Sequence, residues 1–383
     1  MNVPVQPKLL QWACDRAGWE ATTAVEHFAL LPAWLTGESS PTLHQLETFA
    51  ARTHVPFGYF PLPGPPVEAT PIPDFRTVGS QPLRKPSPEF LDTLYACQQR
   101  QAWYRDFALV NGEPALSFVG GARTTDNVEA KAGELRHKLG FDVAERAQLP
   151  TWTDALRAFV EQAEGAGVLV MVSGIAGSNT HRKLDPGEFR GFALADPLAP
   201  LVFVNGADMK AAQMFTLAHE LAHLLLGESG ISDGGPASEP ARDVEQWCNR
   251  FAAELLVPMD VLRQVHRPQA PLQDEILRLA RHFKVSTLVI LRRVFDAGTL
   301  TRDAFWAAYR QEVARLATVT GGGGGDFYRS HVARVGRRFA RAVITDALEG
   351  QTLFRDAYRL LGVPGFKAFA TLAANLQVAV ESA

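Results

Sequence analysis

The spacing of apolar residues changes repeatedly along this chain, and each change marks an element. Leu9, Leu10, Trp12, Ala13 and Ala17 recur at helical spacing, and Leu43 and Leu46 do so again, which predicts a small helical module near the start. Between these runs Trp34 to Thr42 is rich in turn-forming residues, and Thr42 stands where an N-cap takes up the free amides of the next helix. Six prolines between Pro61 and Pro73 remove too many amide donors for helix or central strand, so this stretch is expected to be a linker. Residues 88–110 and 151–165 read as amphipathic helices, the second opened by a Thr or Asp cap.

Three short apolar runs follow, Val168 to Val172, Phe189 to Leu194 and Leu201 to Asn205, each bounded by Gly, Pro, Asn or Asp; they predict a small sheet. From Asp208 to about Leu226 the period is helical again, with Met214, Leu217, Leu221, Leu224 and Leu225 on one broad stripe and Gly227 placed to end it. Residues 230–240 read as a polar loop, and 241–257 as a second helix stopped at Pro258. From Asp274 onward the pattern is mostly helical, broken by Gly321 through Gly325. Together these elements predict an α+β fold, predominantly helical, with a small sheet packed on the 208–226 helix. The expected divisions are a helical module (1–62), a Pro-rich linker (63–87), a central domain with leading helices (88–272) and a C-terminal helical region (273–383).

Composition narrows the classes. At 383 residues the chain is longer than one core usually grows. Lys+Arg of 38 against Asp+Glu of 41 leaves a formal charge of -3, so no whole-chain electrostatic footprint points to nucleic acid. The N-terminal residues lack a charged segment followed by an apolar one, and no run is long enough to span a bilayer; a cytoplasmic protein with no membrane partner is the expectation. Cys14, Cys97 and Cys248 are odd in number and widely spaced, which favours reduced thiols over disulfides or a thiolate metal site.

One run carries chemistry: His219-Glu220-Leu221-Ala222-His223. Histidines four apart on a helix project from one face, so both imidazoles can reach one tetrahedral zinc ion while Glu220 stands at its open side. In a chain with 10 histidines the pattern arises by chance on the order of once in a hundred sequences. The bland alternative is a helix with two surface histidines, but the apolar neighbours bury this helix, and buried imidazoles usually have a partner. Catalytic zinc typically has a third protein ligand. Glu245, on the following helix, shares a face with Cys248, Ala252 and Leu256; Glu254 on the same helix is the rival, with Glu228 and Asp233 weaker ones from the intervening loop. A lone Glu is more often a solvated helix-edge residue; on spacing Glu245 is the first choice and Glu254 the second. With zinc present, Glu220 is the expected general base in hydrolysis of a peptide bond. Tyr328 and His331 are candidates for an additional donor to the carbonyl oxygen, although such residues on an amphipathic segment more often pack. An extended substrate is expected to add as a strand beside the sheet.

Thr216-Leu217-Ala218-His219-Glu220-Leu221-Ala222-His223-Leu224-Leu225-Leu226 resembles the active-site helix of the ImmA/IrrE family of metallo-endopeptidases. The run Val244-Glu245-Gln246-Trp247-Cys248-Asn249-Arg250-Phe251-Ala252-Ala253-Glu254-Leu255-Leu256-Val257-Pro258 resembles that family's second motif, an acidic residue followed by Asn, Phe-Ala and Leu-Leu-x-Pro. The resemblance covers about residues 165–260. It implies Zn2+ as cofactor, Glu245 as the third ligand, endopeptidase activity, and a repressor or antitoxin-type regulatory protein as substrate. Residues 9–60 resemble, more loosely, an Xre-type helix-turn-helix, chiefly at Ala33-Trp34-Leu35-Thr36-Gly37-Glu38 followed by Pro41-Thr42-Leu43 and Leu46. The departure is at the reading helix: the residues around His27, Glu26 to Leu31, are apolar or acidic and offer little to base edges. DNA is therefore the weaker expectation as a partner, and packing against the peptidase or a partner repressor the stronger. The alternative function is a DNA-binding transcription regulator or toxin-antitoxin component that uses the metallopeptidase fold for binding.

Overall fold

The computed structural model describes residues 2–66, 71–73, 86–232, 243–317 and 327–378. The chain forms two compact units, Met1–Pro71 with Arg84–Asp92, and Ile72–Leu83 with Thr93–Ala383. In the first, α1 (Pro7–Arg16), α2 (Ala21–His27), α3 (Leu31–Thr36) and α4 (Leu43–Thr53) surround a core of Leu9, Leu10, Leu31, Trp34, Leu46 and Phe49. Thr42 caps α4 as expected: its side chain accepts from the Gln45 amide while the Gln45 side chain accepts from the Thr42 amide. The segment around His27 differs from the expectation. It is no continuous helix, because α2 ends at His27 and Phe28 turns extended to pack its ring on Trp34 and Phe49. Burying that aromatic ring outweighs continuing a short helix.

The second unit is α+β and predominantly helical. Leading helix α5 (Pro88–Val110), whose first residues belong to the first unit, is followed by α6 (Val128–Leu139), α7 (Val143–Gln148) and α8 (Trp152–Gly165). Asn127 and Asp142 cap α6 and α7, and Thr151 caps α8, each side chain accepting an amide three residues on. Strands β1 (Leu169–Ser173), β2 (Gly191–Leu194) and β3 (Leu201–Asn205) coincide closely with the three apolar runs. After them come α9 (Lys210–Leu226), β4 (Gly230–Ser232) and α10 (Asp243–Leu256). The sheet order is β1-β3-β2-β4, with β1 parallel to β3 and the other pairs antiparallel.

The strands read as continuous apolar runs because both faces are covered. Val170, Ala193, Val202 and Val204 share a core with α9 residues Met214, Leu217, Ala218 and Leu221. On the other face Phe192 stacks on Phe203 at 5.0 Å, and Gln101 of α5 donates to the carbonyls of Leu194 and Ala199. Helix α9 is buried from Gln213 through Leu225, not on one stripe alone, and Gly227 ends it in the left-handed region at φ 72°. A helix buried all round must match every polar side chain it carries with a partner.

Strand β4 corrects the expected loop. Its Gly-Ile-Ser sequence is too short to show a period, and pairing with β2 recruits it: Gly191 opposes Ser232 and Ala193 opposes Gly230. The linker expectation also changes, since Ile72 is buried and the Pro73 carbonyl accepts from the Ile231 amide at 3.1 Å. Helices α11 (Met259–Val265), α12 (Leu272–Phe283), α13 (Thr287–Asp296) and α14 (Arg302–Ala317) continue the core, and α15 (Phe327–Val335), α16 (Arg337–Leu348), α17 (Phe354–Leu361) and α18 (Phe366–Asn375) complete the described chain. The glycine tract 321–325 and Asp233 lie outside the described residues. Among the described residues no helix is long and apolar enough to cross a membrane.

Candidate metal centre

Helices α9 and α10 pack side by side and bring His219, His223 and Glu245 together. His219 Nε2 lies 3.2 Å from Glu245 Oε2, His223 Nε2 3.0 Å from Glu245 Oε1, and the two Nε2 atoms 3.1 Å from each other. All three residues are at most 2% exposed. As hydrogen bonds this triangle cannot be satisfied. Two protonated Nε2 atoms facing the carboxylate would oppose their own N–H groups, and one unprotonated Nε2 would turn its lone pair on a carboxylate oxygen or leave that contact empty. A tetrahedral ion with N and O ligands at 2.0–2.2 Å holds its donors about 3.3–3.5 Å apart, close to the spacing observed. The donor set therefore fits a divalent cation.

Electrostatics follow from burial. Desolvation would raise the Glu245 carboxyl, but hydrogen bonds and charge from the two imidazoles outweigh it and hold the group down to about 2. Burial would likewise lower His219; hydrogen bonding and charge from Glu245 reverse this and raise it, with Asn249 of α10 contributing a further hydrogen bond. For His223 burial wins, aided by the charge of His219, and its pKa is lowered. Two adjacent imidazoles cannot both hold a proton cheaply.

Glu220 is fully buried, and burial pushes its carboxyl up to about 8. Its Oε1 accepts a hydrogen bond from the Ser232 hydroxyl of β4, while Oε2 has no hydrogen-bond partner among the described residues. Its carboxylate also lies so close to β2 that a Cβ on Gly191 would come within 2.9 Å of Oε1 and 2.8 Å of the Phe203 carbonyl. Gly191 and Ser232 oppose one another in the sheet, so β2 and β4 form the cradle of this side chain. The expectation drawn from sequence missed both, because a glycine in a strand and a serine in a polar stretch carry no local sign of the helix above them.

The rival carboxylates are elsewhere. Glu254 pairs with Arg293 of α13 and accepts from the Met259 amide, and its own carbonyl accepts from Arg136 at 2.7 Å. Glu228 follows α9 half-buried, where its amide donates to the His223 carbonyl at 3.0 Å. His331 is buried with Nε2 2.9 Å from the Leu361 carbonyl of α17, a packing role. Tyr328 lies in the first turn of α15, and its side chain is outside the described residues.

This segment is also recognisable by comparison with known proteins. Residues 163–295 match the IrrE N-terminal-like domain family (Peptidase_M78), a span that contains the whole triangle and Glu220. That segment is similar to the IrrE-type domain. The chain is 30% identical over 138 residues to the radiation response metalloprotease IrrE of Deinococcus radiodurans, an alignment covering 35% of this chain and 41% of that protein. With the protein of the same name from Deinococcus deserti it shares 32% identity over 96 residues, 24% of this chain and 34% of the relative. The chain thus matches less than half the length of either IrrE relative. The matched family is one of metallopeptidases, and the matched segment contains the His219, His223 and Glu245 donor cluster. Outside the IrrE-type segment, residues 335–375 match a domain family of unknown function (DUF8813).

Proposed function

We propose that the chain is a zinc-dependent endopeptidase, with His219, His223 and Glu245 holding the ion and Glu220 acting as general base. The observation that carries this reading is the closed triangle of imidazole and carboxylate donors, unsatisfiable by protons, beside a fourth buried residue, Glu220, one of whose oxygens has no hydrogen-bond partner among the described residues. A bound zinc ion supplies Lewis acidity, making a nearby water acidic toward neutral pH and polarising a carbonyl. Glu220 takes a proton at Oε2 from the attacking water and returns it to the leaving amine. Ser232 holds Oε1 in place meanwhile, so the carboxylate cannot rotate away. Burial raises the Glu220 carboxyl, and a nearby cation would favour its ionised form, the form that accepts a proton.

We further propose a repressor or antitoxin-type regulatory protein as substrate, a class supported by kinship with the ImmA/IrrE peptidases. Metal analysis of the purified protein should find about one zinc per chain. Coexpression with neighbouring repressor genes should then yield truncated repressor in the presence of the wild type but not of Glu220→Gln. A protein that binds no zinc at neutral pH, or a Glu220→Gln variant that cleaves as well as the parent, would end this reading.

A further inference from the structure

Strand β4 is an edge of the sheet, and its outer side is already in use. In the ladder with β2, the Arg190 amide donates to the Ser232 carbonyl, so Ser232 faces β2 while the Ile231 amide points outward. That outward amide donates to the carbonyl of Pro73, 3.1 Å away, and the adjoining Ile72 is buried at 8% exposure. Residues before a proline are restricted to extended conformations, so Ile72 is set for strand-like docking by its own neighbour. Proline has no amide to return to the edge, which keeps the attachment short and reversible.

The position matters because of what lies beside it. A strand added to this edge runs about 4.8 Å from β4, next to the serine whose hydroxyl grips Glu220. We propose that Ile72–Pro73 is a resident competitor: it fills the edge of β4 that an extended substrate segment must take, and substrate binds by displacing it. That the edge belongs to substrate rests on the peptidase reading; that the segment docks there does not. Being part of the same chain, the segment acts at an effective concentration on the order of millimolar, so even a weak contact keeps the edge filled.

The test uses the full-length protein, Ile72→Ser, and a second variant in which Pro73→Gly is added to Ile72→Ser, each checked for folding by circular dichroism. The probe is a fluorescent peptide copying residues 69–76 of the chain. Loss of a buried isoleucine anchor shifts a local equilibrium on the order of tenfold to a hundredfold. The peptide should therefore bind both variants at least about tenfold more tightly than the wild type. The Ile231 amide should exchange with deuterium faster by a similar factor in the variants, and slow again when peptide is added. Equal peptide affinities in all three proteins, or unchanged exchange at Ile231, would overturn the proposal. Cleavage of unfolded casein separates the two readings. Variants that pass the binding tests and cleave faster than the wild type support both. If the zinc-loaded variants pass them yet no form cleaves casein or a coexpressed repressor, the docking stands and the peptidase reading fails. If the wild type cleaves and the variants are no faster, the competitor proposal fails alone.

Discussion

Glu245 and Glu254 stand on the same helix, both buried, and their surroundings make them opposites. Glu254 faces a guanidinium: Arg293 neutralises its charge, the Met259 amide supplies a further donor, and Arg136 ties down the carbonyl of the same residue. Glu245 faces two imidazoles, and no arrangement of protons satisfies all three contacts. Burial of a carboxylate is thus uninformative until its partner is known. A carboxylate paired with a guanidinium is complete without a metal, whereas imidazole and carboxylate donors that no arrangement of protons satisfies fit a cation.

The contrast can be broken from either side. Glu245→Ala has the largest expected effect: zinc affinity falls by more than the roughly hundredfold typical of losing an outer-shell partner, and cleavage is abolished. Metal content after dialysis and a cleavage assay check this, and retention of stoichiometric zinc would refute the assignment. Glu220→Gln should keep zinc but lower kcat by about 10²–10⁴, which separates the base from the ligands. Glu254→Gln should do the reverse, leaving zinc content unchanged while costing about 3–5 kcal/mol of stability, because Arg293 is left charged and buried; urea denaturation measures this.

A smaller effect concerns Glu275, whose carboxyl is held down to about 2, first by the Arg278 hydrogen bond and then, against burial, by the Arg267 amide and His266. A depressed carboxylate pKa adds stability that is present above its unfolded value and is lost as pH falls through the folded one. Arg278 is one-third exposed, so screening reduces the contribution to about 1–2 kcal/mol. The melting-temperature gap between wild type and Glu275→Gln should be full at pH 6 and close between pH 4.5 and 2; a gap independent of pH would exclude the mechanism.

Much of this was legible in the order of residues. Period and punctuation located β1, β3, α9, α10 and the Thr42 cap, since each rests on contacts within a few positions. The pair His219 and His223 is local in the same sense: four residues on a helix are one turn, wherever the helix goes. Strand β4 was not legible, because a three-residue strand exists only by pairing with β2. Nor were Ser232 and Gly191 as the cradle of Glu220, or Ile72 as a docked residue in a proline-rich stretch.

The chain's own sequence therefore determined which helix bears the imidazoles, which acid lies between them, and which two carboxylates on the next helix compete for the third place. Tertiary structure placed only one of those two beside the imidazoles. The rotation of α10 against α9 aims Glu245 at the imidazoles and leaves Glu254 for a guanidinium from α13, and that rotation is set by packing among residues far apart in the chain. Helical periodicity is a property of neighbours, whereas the partner of a buried charge depends on how whole elements come together.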